Sequence, residues 1–217
     1  MGYHSQNGQD QIIEDLNKKL GINIGWFVEF GAKDGYTLSN TAHFMECGWS
    51  GVYVEADPAL AESLKKNMSG NPKIHTVNAM VTAENINDIL SKTPLPHDFD
   101  LLSIDIDGND YWVWQAITYN PKIVCIEYNS NFLPTESMVL KYDPLHVYQN
   151  DKNYGASAFA LYKLGKKKGY RLVIHITYLD MFFVREDLAL NIPELDINKI
   201  WKTPQHPGHT DKFILVD

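Results

Sequence analysis

The chain is organised around the segment Trp26-Phe27-Val28-Glu29-Phe30-Gly31-Ala32-Lys33-Asp34-Gly35. An apolar run from Ile22 to Phe30 predicts a buried strand, and the glycines after it predict a turn. Apolar residues at near-helical spacing follow, and Ser39 can cap a helix there. A strand, a glycine turn and a helix bring backbone N–H groups to a nucleotide-like ligand in α/β domains, and glycine at 31 and 35 permits close approach. A tight turn without a ligand is the alternative.

Length, composition and net charge limit the classes of protein to which this chain can belong. The 217 residues, of which 44% are hydrophobic, predict one domain spanning residues 1–217 with a substantial core. Within it, we expect an N-terminal cap or flap over 1–20, a substrate loop over 129–154 and a C-terminal extension over 190–217. The net charge of −8 argues against nucleic acid as a partner, since a phosphate backbone favours a basic surface. No apolar run reaches the ~18 residues of a membrane span, and no secretory signal is recognisable, so the sequence predicts a cytoplasmic protein without membrane attachment.

The second predicted strand, 51–55, ends in an acid. Glu55 follows Gly35 by 20 positions. That spacing is typical of a carboxylate that accepts hydrogen bonds from both ribose hydroxyls of a bound nucleoside. An exposed acid at a strand end with no ligand is the alternative.

An acidic cluster follows the fourth predicted strand, 99–104: Asp105-Ile106-Asp107-Gly108-Asn109-Asp110. Carboxylates so close together repel one another unless a metal ion, a proton, a cationic substrate or solvent offsets their charge. Helix capping by Asn109 and Asp110 explains part of the cluster but not Asp105 and Asp107. The fifth strand, 122–127, places Glu127 at the same edge of the sheet, where open α/β sheets bind their ligands.

The remaining predicted helices and strands are those of an α/β domain. It predicts helices over 9–20, 58–68, 84–91 and 155–168, a third strand over 74–77, and a final hairpin over 171–177 and 180–185. The aromatic, polar loop 129–154 predicts a substrate lid, with a decorative insert as the alternative. For the amide-rich residues 3–10, a solvated cap is favoured over a flap that covers a ligand. His206-Pro207-Gly208-His209 is half of a zinc-site pattern without partners, so a turn is predicted there.

Together these segments resemble the class I S-adenosylmethionine-dependent methyltransferases, and within them the FkbM-type branch, many of whose members are O-methyltransferases of sugars or small molecules. The matching segments are Tyr3–Asp10, Phe27–Gly35, Val54–Pro58, Leu101–Asp110, Val124–Asn129, Gly155–Ser157 and Phe182–Val184. The resemblance implies a Rossmann-like α/β fold. Its seven-stranded, mostly parallel sheet would have the order 3-2-1-4-5-7-6, with strand 7 antiparallel and helices on both faces.

The resemblance also implies S-adenosylmethionine as cofactor. The implied cofactor-binding residues are Gln6, Glu29, Gly31, Ala32, Asp34, Gly35, Glu55, Ala56, Asn78, Ala79 and Asp105. Glu29 and the 31–35 turn would approach the methionine part, Glu55 the ribose, and residues 78–79 the adenine. Asp105 would face the amino acid or sulfonium. Many methyltransferases have glycine where this chain has Ala32, so Gln6 is an alternative contact for the cofactor carboxylate.

The implied reaction is methyl transfer to a hydroxyl of a sugar or glycan, with Asp105 and Asp107 as catalytic residues. Asp107 would act as the base, or as a ligand of a divalent cation, Mg or Mn, together with Glu127; Asp105 is a third candidate ligand. Two other classes compete. Asp105-Ile106-Asp107 is also the DxD triplet of glycosyltransferases that use a nucleotide-sugar, and a non-catalytic binding module can keep the same fold. An NAD-dependent oxidoreductase ranks lower, because the turn departs from G-x-G-x-x-G.

Overall fold

The computed structural model describes residues 2–200 and 211–217. The turn predicted at 206–209 therefore lies outside the described residues. Nine strands are present in this part of the chain: β1 (Trp26–Phe30), β2 (Ser50–Glu55), β3 (Ile74–Asn78), β4 (Leu101–Ile104), β5 (Ile123–Glu127), β6 (Met138–Leu140), β7 (Tyr170–His175), β8 (Asp180–Arg185) and β9 (Phe213–Leu215).

Seven strands form one sheet in the order β3-β2-β1-β4-β5-β8-β7. Strands β1 to β5 are parallel, and β8 runs antiparallel to both β5 and β7. This confirms the predicted Rossmann-like arrangement. The strand numbers differ from the predicted 3-2-1-4-5-7-6 only because the short strand β6, which belongs to a separate sheet, precedes the final hairpin in the chain.

Helices cover both faces of the sheet. They are α1 (Gln9–Leu20), α2 (Ala42–Glu46), α3 (Pro58–Asn67), α4 (Ile86–Ser91), α5 (Asp110–Ala116) and α6 (Ala158–Lys167), followed by a 3₁₀ turn at Ile197–Lys199. Successive side chains of a strand point to opposite faces, so the buried strands supply two cores. Helices α4 to α6 pack into the core that contains Val28, and α1 to α3 into the core that contains Phe27. Among the described residues, no helix has the length and apolar character needed to cross a membrane.

The helix predicted to open at Ser39 begins three residues later. The Ser39 hydroxyl does accept hydrogen bonds from the N–H groups of Thr41 and Ala42, at 3.2 and 2.9 Å. However, Leu38 has a φ of +59°, and residues 39–41 are held by the buried Glu29 rather than by helical bonds. The glycine turn is therefore not followed directly by a helix N-terminus.

The loop predicted over 129–154 contains strand β6, which pairs with β9 near the C-terminus; Val139 lies opposite Ile214. Val139 and Leu140 are buried, which explains why this part of the loop is ordered as a strand. The pairing joins residues about 75 positions apart in the sequence. A prediction based on local patterns misses such a pair, which attaches residues 213–215 of the predicted C-terminal extension to the domain.

Gly31→Ala is expected to lower the free energy of unfolding by about 2–4 kcal/mol. Gly31 has a φ of +74°, and a Cβ there would overlap the carbonyl oxygen of Asp105. Gly21→Ala is the matched control, because Gly21 has a φ of +70° but no neighbouring atom within 4 Å of the place that a Cβ would occupy. It should cost only the backbone strain of about 1 kcal/mol. Equal losses in urea titrations of the two variants would show that the close approach to Asp105 is unimportant.

Candidate active site

A cavity of about 400 Å³ opens at the carboxyl ends of β1, β2, β4 and β5. Eight of the predicted site residues line it: Gln6, Gly31, Glu55, Ala56, Ala79, Asp105, Asp107 and Glu127. The cavity therefore lies at the edge of the sheet where the strand-end acids were expected to meet.

Glu55 is fixed at one side of this cavity by backbone groups. Its carboxylate accepts hydrogen bonds from the N–H of Lys33 at 2.7 Å and the N–H of Asp57 at 2.8 Å. Asp57 in turn caps α3, accepting from the N–H groups of Ala59 and Leu60. A carboxylate offers about four acceptor positions, so Glu55 keeps capacity for a ligand while its orientation is set by the β2–α3 connection.

The glycine turn does not present its N–H groups as predicted. Those of Gly31 and Ala32 donate to the carbonyl oxygen of Val54, at 3.1 and 3.3 Å, and that of Gly35 donates to Ala32 at 2.8 Å. These three donors are consumed by the fold, so the expectation that they reach a ligand is wrong. The contribution of the turn to the cavity is Gly31 itself and the side chain of Lys33.

Glu29, predicted to approach the cofactor, does not line the cavity. Its buried carboxylate accepts hydrogen bonds from the hydroxyls of Ser39 and Thr41, at 2.6 and 2.7 Å, and from the N–H of Asn40 at 2.8 Å. Burial raises the pKa of Glu29, and these three donors oppose that shift. The structure thus gives Glu29 a supporting role, in which it anchors the segment before α2.

Four further predicted residues also lie away from the cavity lining: Ala32, Asp34, Gly35 and Asn78. Asp34 accepts from the N–H groups of Tyr36 and Thr37, at 3.0 and 2.7 Å, and closes the turn. The Asn78 amide donates to the Glu55 carbonyl at 2.8 Å. These contacts account for the two polar residues through the local fold.

Three carboxylates meet on the cavity wall. Each of Asp105, Asp107 and Glu127 offers one oxygen, and these oxygens lie within 4.8 Å of one another. Burial, and then repulsion from its acidic neighbours, raises the pKa of Asp105 and of Glu127 well above the ordinary range, although part of the Asp105 side chain is exposed to the cavity. Burial also raises the pKa of Asp107, while the Lys33 ammonium opposes the shift for both aspartates. The trio therefore favours a cation or a shared proton.

Hydrogen bonds to Asp110, rather than to Asn109, stabilise the loop after β4. The fully buried Asp110 carboxylate accepts from the N–H groups of Ile106 and Gly108, both at 2.9 Å. The side chain of Asn109, predicted as a helix cap, forms no cap bond and donates instead to the Asp143 carbonyl at 2.7 Å. Asp107 is held at a φ of +54°, a conformation that is uncommon for residues other than glycine and that is concentrated at functional sites.

Sequence reasoning missed three polar residues of the lining: Lys33, Asn109 and His146. His146 belongs to the predicted substrate loop, and its ring packs against Gly108, where a Cβ would overlap it. Two features of the sequence pointed to this contact: Gly108 lies inside an acidic loop, and His146 lies between apolar neighbours. Neither feature shows that the two residues are in contact with each other. Two tyrosines of this loop, Tyr148 and Tyr154, pack against each other with ring centroids 6.0 Å apart.

Residues 3–8, which we call the flap, are anchored to the domain by Asp10, whereas the spacing favoured a solvated cap. The fully buried Asp10 accepts hydrogen bonds from the N–H groups of His4 and Ser5, at 2.6 and 3.1 Å, and from the Ser5 hydroxyl at 2.6 Å. Ser5 also bridges to Leu38. These contacts bring Gln6 to the cavity lining.

Asp10→Ala is expected to release this flap. Hydrogen bonds to a charged group contribute about 1.5–3 kcal/mol each, so loss of the shared acceptor should accelerate amide exchange at His4 and Ser5 by about tenfold or more. Asp15→Ala is the matched control, since Asp15 lies on the same helix with an exposed side chain. Hydrogen–deuterium exchange followed by NMR measures both. Unchanged exchange in Asp10→Ala would mean that the flap is held by its other contacts.

No protein-family model and no curated protein matches the sequence. Solved structures do share the fold. A candidate caffeoyl-CoA O-methyltransferase from Staphylococcus aureus superposes with a TM-score of 0.58 at 12% identity, covering 85% of each chain. The N-terminal domain of EvdMO1, crystallised with S-adenosylhomocysteine (SAH) and D-fucose, gives 0.53 at 11% identity over 83% of each chain. An O-methyltransferase from Bacillus cereus in complex with SAH gives 0.52 at 14% identity, covering 85% of this chain and 84% of that one. The chain has the class I methyltransferase fold.

Proposed function

We propose that this protein transfers a methyl group from S-adenosylmethionine to a hydroxyl of a sugar or glycan. The observation that carries the proposal is the cavity at the carboxyl edge of a class I methyltransferase sheet, with Glu55 and the Asp105–Asp107–Glu127 trio in one lining. The sequence resemblance to the FkbM-type branch favours a sugar acceptor. The EvdMO1 domain, which has the same fold and was crystallised with a sugar, supports it.

The residues present fit such a cofactor. Glu55 keeps acceptor capacity for ribose hydroxyls, and Ala79, Met80 and Val81 provide an apolar wall suited to an adenine ring. Gln6, on the flap, offers an amide to the amino acid end. When bound, S-adenosylmethionine supplies an electrophilic methyl group on a positively charged sulfur. The acidic lining favours that positive charge.

Asp107 is the proposed base. It lies in the cavity lining, and a carboxylate whose pKa is raised toward neutral accepts a proton more effectively than an ordinary one. In the proposed reaction, Asp107 would take the proton of the acceptor hydroxyl as the oxygen of that hydroxyl bonds to the methyl carbon. The bond between the methyl carbon and sulfur would break at the same time, and SAH would leave. The rigid loop around Asp110 serves to align that hydroxyl, which is the larger part of catalysis in such a displacement.

A divalent cation also fits the donor set. Asp107 and Glu127, with Asp105 as third ligand, provide only carboxylate oxygens, which suit Mg²⁺ or Mn²⁺. A cation there would lower the pKa of the acceptor hydroxyl. If a cation acts there, EDTA should abolish methylation and added Mn²⁺ or Mg²⁺ should restore it. Methylation that survives EDTA but is lost in Asp107→Asn would leave Asp107 as a base without a metal.

A small molecule or glycan suits this cavity better than nucleic acid does, because the net charge is −8 and the lining is acidic.

Calorimetry with SAH tests the cofactor, and mass spectrometry of candidate glycans incubated with S-adenosylmethionine tests the reaction. SAH binding and a methylated product are expected. Stabilisation by UDP-sugars but not by SAH, measured by thermal shift, would favour the glycosyltransferase. SAH binding without any methylated product would favour a non-catalytic module.

A further inference from the structure

Three residues of the cavity lining carry a buried polar atom without a hydrogen-bond partner among the described residues. One is Oε2 of Glu127, which belongs to the carboxylate trio; the other two are Oδ1 of Asn109 and Nε2 of His146, whose residues line the cavity with Asp107. Asn109 is only 5% exposed. A buried polar atom without a partner costs about 1–3 kcal/mol, so two of them in one cavity point to a ligand that supplies the missing bonds.

The two residues are held in place by one carbonyl group. The oxygen of Asp143 accepts a hydrogen bond from the Asn109 amide nitrogen at 2.7 Å and from the backbone N–H of His146 at 3.0 Å. The Asp143 side chain accepts from the N–H of Leu145 at 2.9 Å and closes the turn. Because the amide nitrogen of Asn109 is committed, its free atom is an acceptor.

Gly108 sets the distance between the His146 ring and the acidic loop. A Cβ at position 108 would overlap the ring, so glycine lets the imidazole lie against the backbone between Asp107 and Asn109. The unpartnered atoms therefore lie next to the place where the reacting hydroxyl is proposed to bind.

We propose that Asn109 and His146 bind a second hydroxyl of the acceptor, on the carbon next to the one that is methylated. The proposal rests on the proposed function and deepens it, because it defines the acceptor as a vicinal diol rather than an isolated alcohol. A hydroxyl can donate to Asn109 Oδ1 and also pair with His146 Nε2 in either tautomer, so one group satisfies both atoms. In this arrangement, one of two neighbouring ring hydroxyls would meet Asp107 and the other would meet this pair.

His146 does not belong to the carboxylate trio that could hold a cation. That candidate cation site therefore does not account for the unpartnered nitrogen of His146.

Cyclohexane-1,2-diol, in its cis and trans forms, tests the proposal against cyclohexanol as the matched monohydroxy probe. NMR titrations of the SAH-loaded protein give the Kd of each probe. A site built to bond a hydroxyl discriminates against an analogue that lacks it, so at least one diol should bind about three- to tenfold more tightly than cyclohexanol. Equal affinities for the three probes, or no diol binding, would overturn the proposal; a water molecule would then be the partner of the two atoms.

Variants at position 146 assign the preference. His146→Phe keeps a ring but removes the nitrogen, and should reduce the preference for the diol to less than about twofold. His146→Gln keeps a polar atom and should retain part of it, while Lys141→Ala, an exposed change in the same loop, should retain all of it. A preference that survives His146→Phe would contradict the assignment. SAH binding is the separate readout: its absence in the wild type defeats the proposed function, whereas SAH binding with equal probe affinities defeats only this inference.

Discussion

Asp107→Asn is expected to lower kcat for methyl transfer by about 10²–10⁴-fold, the usual contribution of a positioned base. Asparagine has the same shape and tolerates the φ of +54° at this position better than most residues do. The substitution therefore removes the negative charge and the ability to accept a proton while it keeps the loop. The same loss is expected if Asp107 holds a cation, and the EDTA experiment separates these two roles.

The measurement is single-turnover methylation together with SAH titration. The SAH affinity of Asp107→Asn should stay within about threefold of the wild type, because Asp107 is assigned to the acceptor. Asp57→Asn is the matched control: it removes one acid near the cavity, and asparagine caps α3 as well as aspartate does. Comparable kcat values in wild type and Asp107→Asn would remove Asp107 from the reaction.

The strands and most helices could be predicted because their signals are local. Residues 22–30 and 99–104 are predominantly apolar, α1 has apolar residues at helical spacing, and Pro58 marks the start of α3. The same logic placed Glu55, Asp105 and Glu127 at one edge, since parallel strands end at the same side of a sheet. The strand order came from the resemblance, because no local pattern encodes which strands are neighbours.

The parts of the site that could not be predicted depend on contacts between residues that are distant in the sequence. Asn109 had the sequence pattern of a helix cap, and only the position of Asp143, 34 residues later, shows that its amide is used elsewhere. His146 reaches the cavity because Gly108 leaves room for its ring. The N–H groups of Gly31 and Ala32 are taken by Val54 on the neighbouring strand. In each case, a long-range hydrogen bond or packing contact decides between two roles that the local sequence leaves open.

The second large effect concerns the cofactor. Glu55→Gln is expected to weaken SAH binding by about 10- to 100-fold, since hydrogen bonds to a charged group contribute about 1.5–3 kcal/mol. It should also cost some stability, because one of the N–H groups of Lys33 and Asp57 loses its acceptor. Calorimetry well below the melting temperature separates affinity from unfolding. Glu62→Gln, an exposed change on α3, is the matched control and should leave the Kd unchanged.

Comparison of Glu29→Gln with Glu55→Gln tests which of the two glutamates contacts the cofactor. The sequence assigned Glu29 and Glu55 to the same ligand, but Glu29 is enclosed by Ser39, Asn40 and Thr41 and lies outside the cavity lining. The two substitutions should therefore differ: Glu29→Gln should lower the melting temperature with little change in SAH affinity, whereas the main effect of Glu55→Gln should be on SAH affinity. If Glu29→Gln weakened SAH as strongly as Glu55→Gln, the cofactor would contact the segment before α2, and the acceptor would have to occupy a different part of the cavity from the one proposed.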